Sequence, residues 1–170
     1  MKNSRIHEYG CLMALPPENV MSHFVKFGKT AVLPSTVYTD PNDDSYGYET
    51  EPHVTLKFGF APDLTKQNIG TILSGIKPFF INLTGISLFN NENFDVVKFD
   101  VELNDTLREI RRRCDMFPNE DRFPSYHPHS TIAYVKKGTF EGVSKDWNLK
   151  VPITRFKYSG INGKKLNINL

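Results

Sequence analysis

Apolar and polar positions alternate strictly through EPHVTLKFGF: Val54, Leu56, Phe58 and Phe60 fall on one side, His53, Thr55, Lys57 and Gly59 on the other. That period of two predicts a half-buried strand over 53–60. A short apolar run, EYGCLMAL at 8–15, predicts a buried strand closed by Pro16 and Pro17. In the segment that follows, Val20, Phe24 and Phe27 recur at helical spacing and Gly28 supplies a stop. From Thr30 to Thr50 the periodicity dissolves into Pro, Asn, Asp and Gly. A loop of that length is either a binding lid or disordered.

Leu64, Ile69, Ile72, Leu73 and Ile76 then predict a helix over 62–76. Strands are expected at 79–89 and 94–103, joined by the turn NNEN, and a helix at 105–117 with Leu107, Ile110 and Cys114 on one stripe. Residues 118–128 read as loop and HSTIAYV, 129–135, as strand; the segment 151–170 reads as a hairpin around Asn162-Gly163. Hairpins mixed with helices and few crossover repeats indicate an α+β fold with antiparallel sheets rather than a doubly wound parallel sheet.

Composition narrows the picture. A chain of 170 residues, 39% hydrophobic, suits one globular domain spanning 1–170. Its 21 Lys+Arg against 19 Asp+Glu give a net charge of +2, too little for a nonspecific binder of long nucleic acid. Any nucleotide ligand is expected to be small. The opening MKNSRIHEYG has no signal-peptide apolar block, and no run is long and apolar enough to span a membrane. A cytoplasmic monomer without a membrane partner is the expectation. Cys11 and Cys114 read as two buried thiols rather than a disulfide.

The chemistry concentrates in two words, Pro52-His53-Val54-Thr55-Leu56 and Pro128-His129-Ser130-Thr131-Ile132, almost half the chain apart. In a strand, residues two apart share a face, so His53 lies beside Thr55 and His129 beside Thr131. If two similar halves bring the words together, two imidazoles and two hydroxyls line one cleft. One imidazole could accept a proton from an attacking oxygen while the other donates to a leaving oxygen, since a histidine titrates near working pH. The threonines could hold the non-bridging phosphate oxygens. The order of roles between the histidines stays open.

These paired words resemble the signature of the 2H phosphoesterase superfamily, which includes LigT-like RNA ligases and cyclic phosphodiesterases. The resemblance implies a bilobal LigT-like fold, two antiparallel sheets with flanking helices around a central pseudo-twofold cleft. It also implies metal-independent phosphodiester cleavage without a cofactor, with His53, Thr55, His129 and Thr131 as the catalytic set. Longer segments, EYGCLMA, EPHVTLKFGF, LTGISLFNNENFDVVKFDVEL, FPSYHPHSTIAYVKKG and GKKLNINL, are similar to bacteriophage anti-CBASS phosphodiesterases. That likeness implies a counter-defence enzyme that degrades cyclic di- and trinucleotides, such as 3',3'-cGAMP, in the cytoplasm of an infected bacterium.

Further candidates surround this core. Lys57 follows the alternation onto the His53 face and could contact phosphate. Tyr9, Tyr46, Tyr48, Tyr126 and Trp147 could stack on a base, Tyr126 first because it precedes His129 by three residues, and Glu141 could read a base edge or ribose hydroxyl. His127 and His129, with His53, form a rival zinc or manganese set, opposed by the lack of Asp or Glu within either word. Arg111, Arg112 and Arg113 splay over a helical turn as a solvated face would. The competing functions are processing of RNA 2',3'-cyclic phosphates or 2'-5' linkages, and a nucleotide sponge that binds without cleaving.

Overall fold

A computed structural model describes residues 7–170 apart from 121 and 124. Residues 1–6, within the opening expected to lack a signal-peptide block, lie outside the described residues, as do two positions of the loop expected at 118–128. The described elements run in the order β1 (Gly10–Leu15), α1 (Glu18–Ala31), a single 3-10 turn (Pro34–Thr36), β2 (Val54–Phe60) and α2 (Lys66–Leu73). They continue with β3 (Phe79–Asn90), β4 (Phe94–Val101), α3 (Asp105–Cys114), β5 (His129–Lys136), β6 (Leu149–Ile153), β7 (Arg155–Ser159) and β8 (Lys165–Asn169).

The strands form two four-stranded sheets, ordered β2-β1-β7-β8 and β5-β4-β3-β6, and every pairing is antiparallel. The α+β expectation holds. One continuous core of buried side chains joins the sheets, with Leu12, Val54, Leu56 and Phe156 from the first and Ile81, Leu83, Val97 and Ile132 from the second. α1 adds Phe24 and Phe27, both packed on Phe99 of β4.

α1 does not stop at Gly28, which lies buried inside it against Ile132, but runs on to Ala31, and two further elements differ from their sequence expectation for visible reasons. The second helix starts at Lys66 rather than near 62 because Thr65 and Asn68 form a reciprocal capping box. Asp63 instead accepts from the Tyr158 hydroxyl at 2.8 Å and from the Ile161 amide, tying the chain to β7. At the C-terminal end, the expected run from 151 contains a change of sheet. β6 pairs with β3 and β7 pairs with β1, so the chain passes between sheets at Thr154. No apolar period marks a residue that joins two strands of similar pattern. The β7–β8 hairpin does turn where expected, with Gly163 at φ 73°.

Both histidine words lie on edge strands, β2 and β5, and both carry the same irregularity. Across β1–β2, Met13 faces Thr55 and Leu12 faces Lys57, which leaves Leu56 as an extra residue. Across β4–β5, Lys98 faces Thr131 and Val97 faces Ala133, which leaves Ile132 extra. Each bulge therefore falls three positions after its histidine. The repeated placement is what a pseudo-twofold relation between the sheets requires, with β2, β1, β7 and β8 matching β5, β4, β3 and β6.

Neither edge is left open. The long loop expected at 30–50 lies along β5: the Tyr38 amide donates to the Tyr134 carbonyl, the Tyr134 amide to Gly47 and the Glu49 amide to Ile132, each at 2.9 Å. It is thus an ordered strap. The loop leading to the second word covers β2 in the same manner, with the Glu120 amide donating to the Gly59 carbonyl at 2.8 Å. Each pre-histidine loop crosses to the opposite lobe's histidine strand, which caps an exposed ladder edge and clamps the two edges together.

Candidate active site

His53 ends the strap and His129 opens β5, and the two rings are held alike. Nδ1 of His53 lies 2.7 Å from the Glu51 carbonyl, and Nδ1 of His129 lies 2.9 Å from the His127 carbonyl. A carbonyl only accepts, so Nδ1 carries the proton in each ring and Nε2 is the atom that exchanges one. Among the described residues neither Nε2 has a hydrogen-bond partner. Each imidazole is therefore set to act as base when neutral and as acid when protonated, through one defined atom.

The two words come together where β2 meets β5. Tyr126, in the loop before His129, donates its hydroxyl to the Thr55 carbonyl at 2.9 Å, and Arg111 lies over the Tyr126 ring, 5.0 Å from its centroid. Arg111 also donates to the Leu56 carbonyl at 2.9 Å, so the bulge carbonyl exposed by the irregular register is satisfied. Burial raises the Tyr126 hydroxyl's pKa above the ordinary tyrosine range, keeping it a neutral donor. Glu51, whose carbonyl holds His53, is anchored by an ion pair with Lys157 of β7.

His129 titrates below the usual histidine value. Burial is the largest cause, the His127 carbonyl opposes it, and the charges of Lys98 and His53 depress it further against Asp100. Phe89 of β3 packs edge-on against the His129 ring at 4.8 Å.

The register sorts the remaining candidates. Side chains paired across strands share a face, so Thr55 stands with Met13, while Lys57 stands with Leu12 on the covered side. The bulge thus corrects the simple alternation: Lys57 leaves the His53 face, is 1% exposed, and pairs with Asp115 beyond the end of α3 at 2.7 Å. Phe58 takes the position beside Cys11 on the Thr55 face. Tyr9 packs edge-on against Phe58 at 5.7 Å, with the Arg122 guanidinium over the Tyr9 ring, so Tyr9 flanks the word that holds His53.

Trp147 packs on Phe27 and Phe99, and Phe99 alternates with Lys98 and Asp100 on β4. Trp147 therefore belongs to the α1-covered face, away from the histidines. Glu141 is exposed beside Ala31, Leu33 and Thr36 in a shallow surface depression; the structure does not bring it to the pair. Tyr46 joins Tyr38, Phe94 and Tyr134 in an aromatic cluster, and Tyr48 bonds the Val32 carbonyl. His127 turns to Ser125, with Nε2 and Oγ at 3.0 Å, and among the described residues no three His, Cys, Asp or Glu are grouped for a metal ion. Arg112 and Arg113 are occupied by Glu109, and Arg113 also donates to the Ile72 carbonyl.

Both cysteines are free thiols. Burial pushes Cys11 and Cys114 up to about 12, and the Thr55 hydroxyl partly offsets this for Cys11. Sequence reasoning missed Lys98, Asp100 and Ser87, which form a bonded group on the Thr131 face. The available signal was a lysine among Val96, Val97 and Phe99 in a strand whose only other charged residues are Asp95 and Asp100.

Two histidine words on the facing edges of paired antiparallel sheets, with crossed loops clamping them, define a LigT-like protein of the 2H phosphoesterase type. The sequence model of the 2'-5' RNA ligase superfamily matches residues 30–156, and the chain belongs to that superfamily. Usb1 of Kluyveromyces marxianus shares the fold at 12% identity over 97% of this chain and 99% of that one, TM-score 0.64. The Thermus thermophilus protein TT0787 does so at 19% identity over 95% and 94%, TM-score 0.56. Escherichia coli LigT, solved with 3'-AMP, does so at 13% identity over 95% and 94%, TM-score 0.54. No curated protein matches the sequence.

Proposed function

We propose that the protein is a metal-independent phosphodiesterase of small nucleotides that uses His53 and His129 as a proton-transfer pair. The observation that carries this is the twin anchoring of the rings through Nδ1 to the carbonyl two residues upstream. It presets the same tautomer twice and leaves both Nε2 atoms for substrate. A ribose 2'-hydroxyl next to a 3'-5' linkage supplies the nucleophile, and holding it in line with phosphorus replaces a bimolecular step. One Nε2 takes the 2'-hydroxyl proton as that oxygen bonds phosphorus; the other gives its proton to the 5'-oxygen as the bond to phosphorus breaks. The products are a 2',3'-cyclic phosphate and a 5'-hydroxyl, and water opens the cyclic ester with the roles exchanged. Thr55 and Thr131 donate to the non-bridging oxygens, where negative charge grows.

The substrate we favour is a cyclic di- or trinucleotide, opened in the cytoplasm of an infected bacterium as a counter to nucleotide-triggered defence. Its support is the likeness of the longer sequence segments and a net charge of +2, which suits a compact ligand. Superfamily membership favours a second reading, cleavage or joining at RNA 2',3'-cyclic phosphate ends or 2'-5' linkages. The test incubates the protein, in chelator, with 3',3'-cGAMP, cyclic trinucleotides, 2',3'-cyclic phosphates and 2'-5' dinucleotides. Turnover of the cyclic dinucleotide that persists in chelator and is lost in His53→Ala and His129→Ala is expected. Binding of every substrate without turnover would replace the enzyme by a sponge.

A further inference from the structure

The two histidine words repeat each other, but their neighbours do not. The residue opposite Thr131 on the adjacent strand is Lys98; the residue opposite Thr55 is Met13. On that face of the first sheet the nearest lysine, Lys157, stands one strand further out, opposite Met13, and is occupied by Glu51. Lys98 is 6% exposed, so its charge is little screened by water. Its ammonium donates to the Ser87 hydroxyl at 2.6 Å and to Asp100, and Ser87 donates to the same carboxylate at 2.8 Å. Asp100 is the residue opposite His129. The ammonium lies 4.3 Å from the centroid of Phe89, and Phe89 in turn contacts His129.

A buried lysine on the threonine face of one word only makes a near-symmetric site unequal, since the buried Lys57 of the first lobe lies on the covered face of β2. Resting on the phosphodiesterase reading above, we propose that Lys98, oriented by Asp100 and Ser87, is the positioning residue that assigns the proton-transfer roles. His129 takes the proton of the attacking 2'-hydroxyl and His53 returns one to the leaving 5'-oxygen. A fixed cation beneath Thr131, separated from His129 by the Phe89 ring, disfavours imidazolium at His129, which keeps that ring ready to accept. The charged groups facing His129 are Lys98 and Asp100 from β4 and His53 from the strap; the His127 carbonyl holds its Nδ1. The lowered titration of His129 has the same sign.

The test compares two substrates with the same nucleophile, uridylyl-(3'-5')-uridine and uridine 3'-(4-nitrophenyl phosphate). A nitrophenolate leaves without a proton, so loss of the general acid matters only for the first. His53→Ala is expected to lose about 100-fold or more on the dinucleotide and to stay within about tenfold of wild type on the aryl ester. His129→Ala is expected to fail on both. Rescue of His129→Ala instead of His53→Ala overturns the assignment alone, whereas a wild-type protein inert on both substrates and on 3',3'-cGAMP overturns the phosphodiesterase reading with it.

Lys98→Met, which copies the first lobe, tests the positioning residue through the acidic limb of the kcat/KM profile. That limb is expected to move to higher pH, to return in Lys98→Arg, and to move to lower pH in Asp100→Asn. A merely structural lysine would lower the rate without moving the limb in opposite directions for the two charges. Limbs unchanged in both variants would overturn the role of Lys98. Should Lys98→Met not fold, Asp100→Asn alone decides.

Discussion

Each imidazole donates one ring proton to a backbone carbonyl, and that anchoring is what turns an ordinary strand histidine into a directed one. On the proposed mechanism, loss of either ring removes a proton carrier without disturbing the sheet. On a nucleotide leaving group, His53→Ala and His129→Ala are each expected to lower kcat by about 100-fold or more, with unfolding midpoints close to wild type. If Thr131 donates to the phosphate oxygens as proposed, Thr131→Val is expected to cost about 100-fold in kcat, recovered by Thr131→Ser. Phe89→Ala addresses burial. Desolvation is the largest cause of His129's lowered titration, so opening its Phe89 side raises the pKa toward about 6.5. The ring-proton shifts of His129, followed by NMR as pH falls, are expected to move at higher pH in the variant; an unmoved midpoint would remove Phe89 from that environment. The paired histidines were legible at this scale because Pro-His-x-Thr occurs twice. Lys57 misled for an equally local reason: a period of two cannot foresee a bulge at Leu56, which sends Lys57 to α3 and brings Phe58 to the site.

Strands and loops set the words in place through their edges. The strap from Val37 to Glu49 lies on β5 and the segment at 119–120 lies on β2, so each loop is stabilised by the lobe it does not belong to. Composition marked the first of these as a loop, since Pro, Asn, Asp and Gly break period. Its ladder bonds are backbone contacts to residues far along the chain, and no side-chain pattern encodes them. The sheet change at Thr154 was hidden for the same reason. Two glycines separate the contributions. Gly59 has φ 108°, and a methyl group there would come within 2.5 Å of the Glu120 carbonyl oxygen. Gly47 has φ 100° with nothing within 4 Å of that position. Gly47→Ala is therefore expected to cost about 1–2 kcal/mol from backbone strain alone. Gly59→Ala adds the displacement of the 119–120 segment and is expected to cost more, about 3 kcal/mol or above. Urea midpoints with a common slope would rank them; equal losses would show that the clamp on β2 bears no strain.

Across the whole molecule, two matching sheets could behave as two domains or as one. The continuous core argues for one. Leu12, Val54 and Phe156 belong to the same buried cluster as Leu83, Val97 and Ile132, the loops cross between lobes, and the chain changes sheet at Thr154. Separating the lobes would expose both inner faces and break the strap's bonds to β5, a loss that neither sheet could bear alone. Unfolding is therefore expected to be a single cooperative transition. Trp147, the sole tryptophan, packs on α1 and β4 and reports the second sheet by fluorescence. Far-ultraviolet circular dichroism reports both sheets at once. The two urea curves are expected to coincide within error and to share one slope. A fluorescence midpoint displaced from the dichroism midpoint would mean that the second sheet melts independently. The histidines would then sit at a domain boundary rather than inside one folded unit, and their alignment would depend on how two bodies meet. Coincidence instead makes the groove a property of the core: on the proposed mechanism, any substitution that loosens either sheet displaces both histidines relative to one phosphorus. Activity is then lost before the chain unfolds.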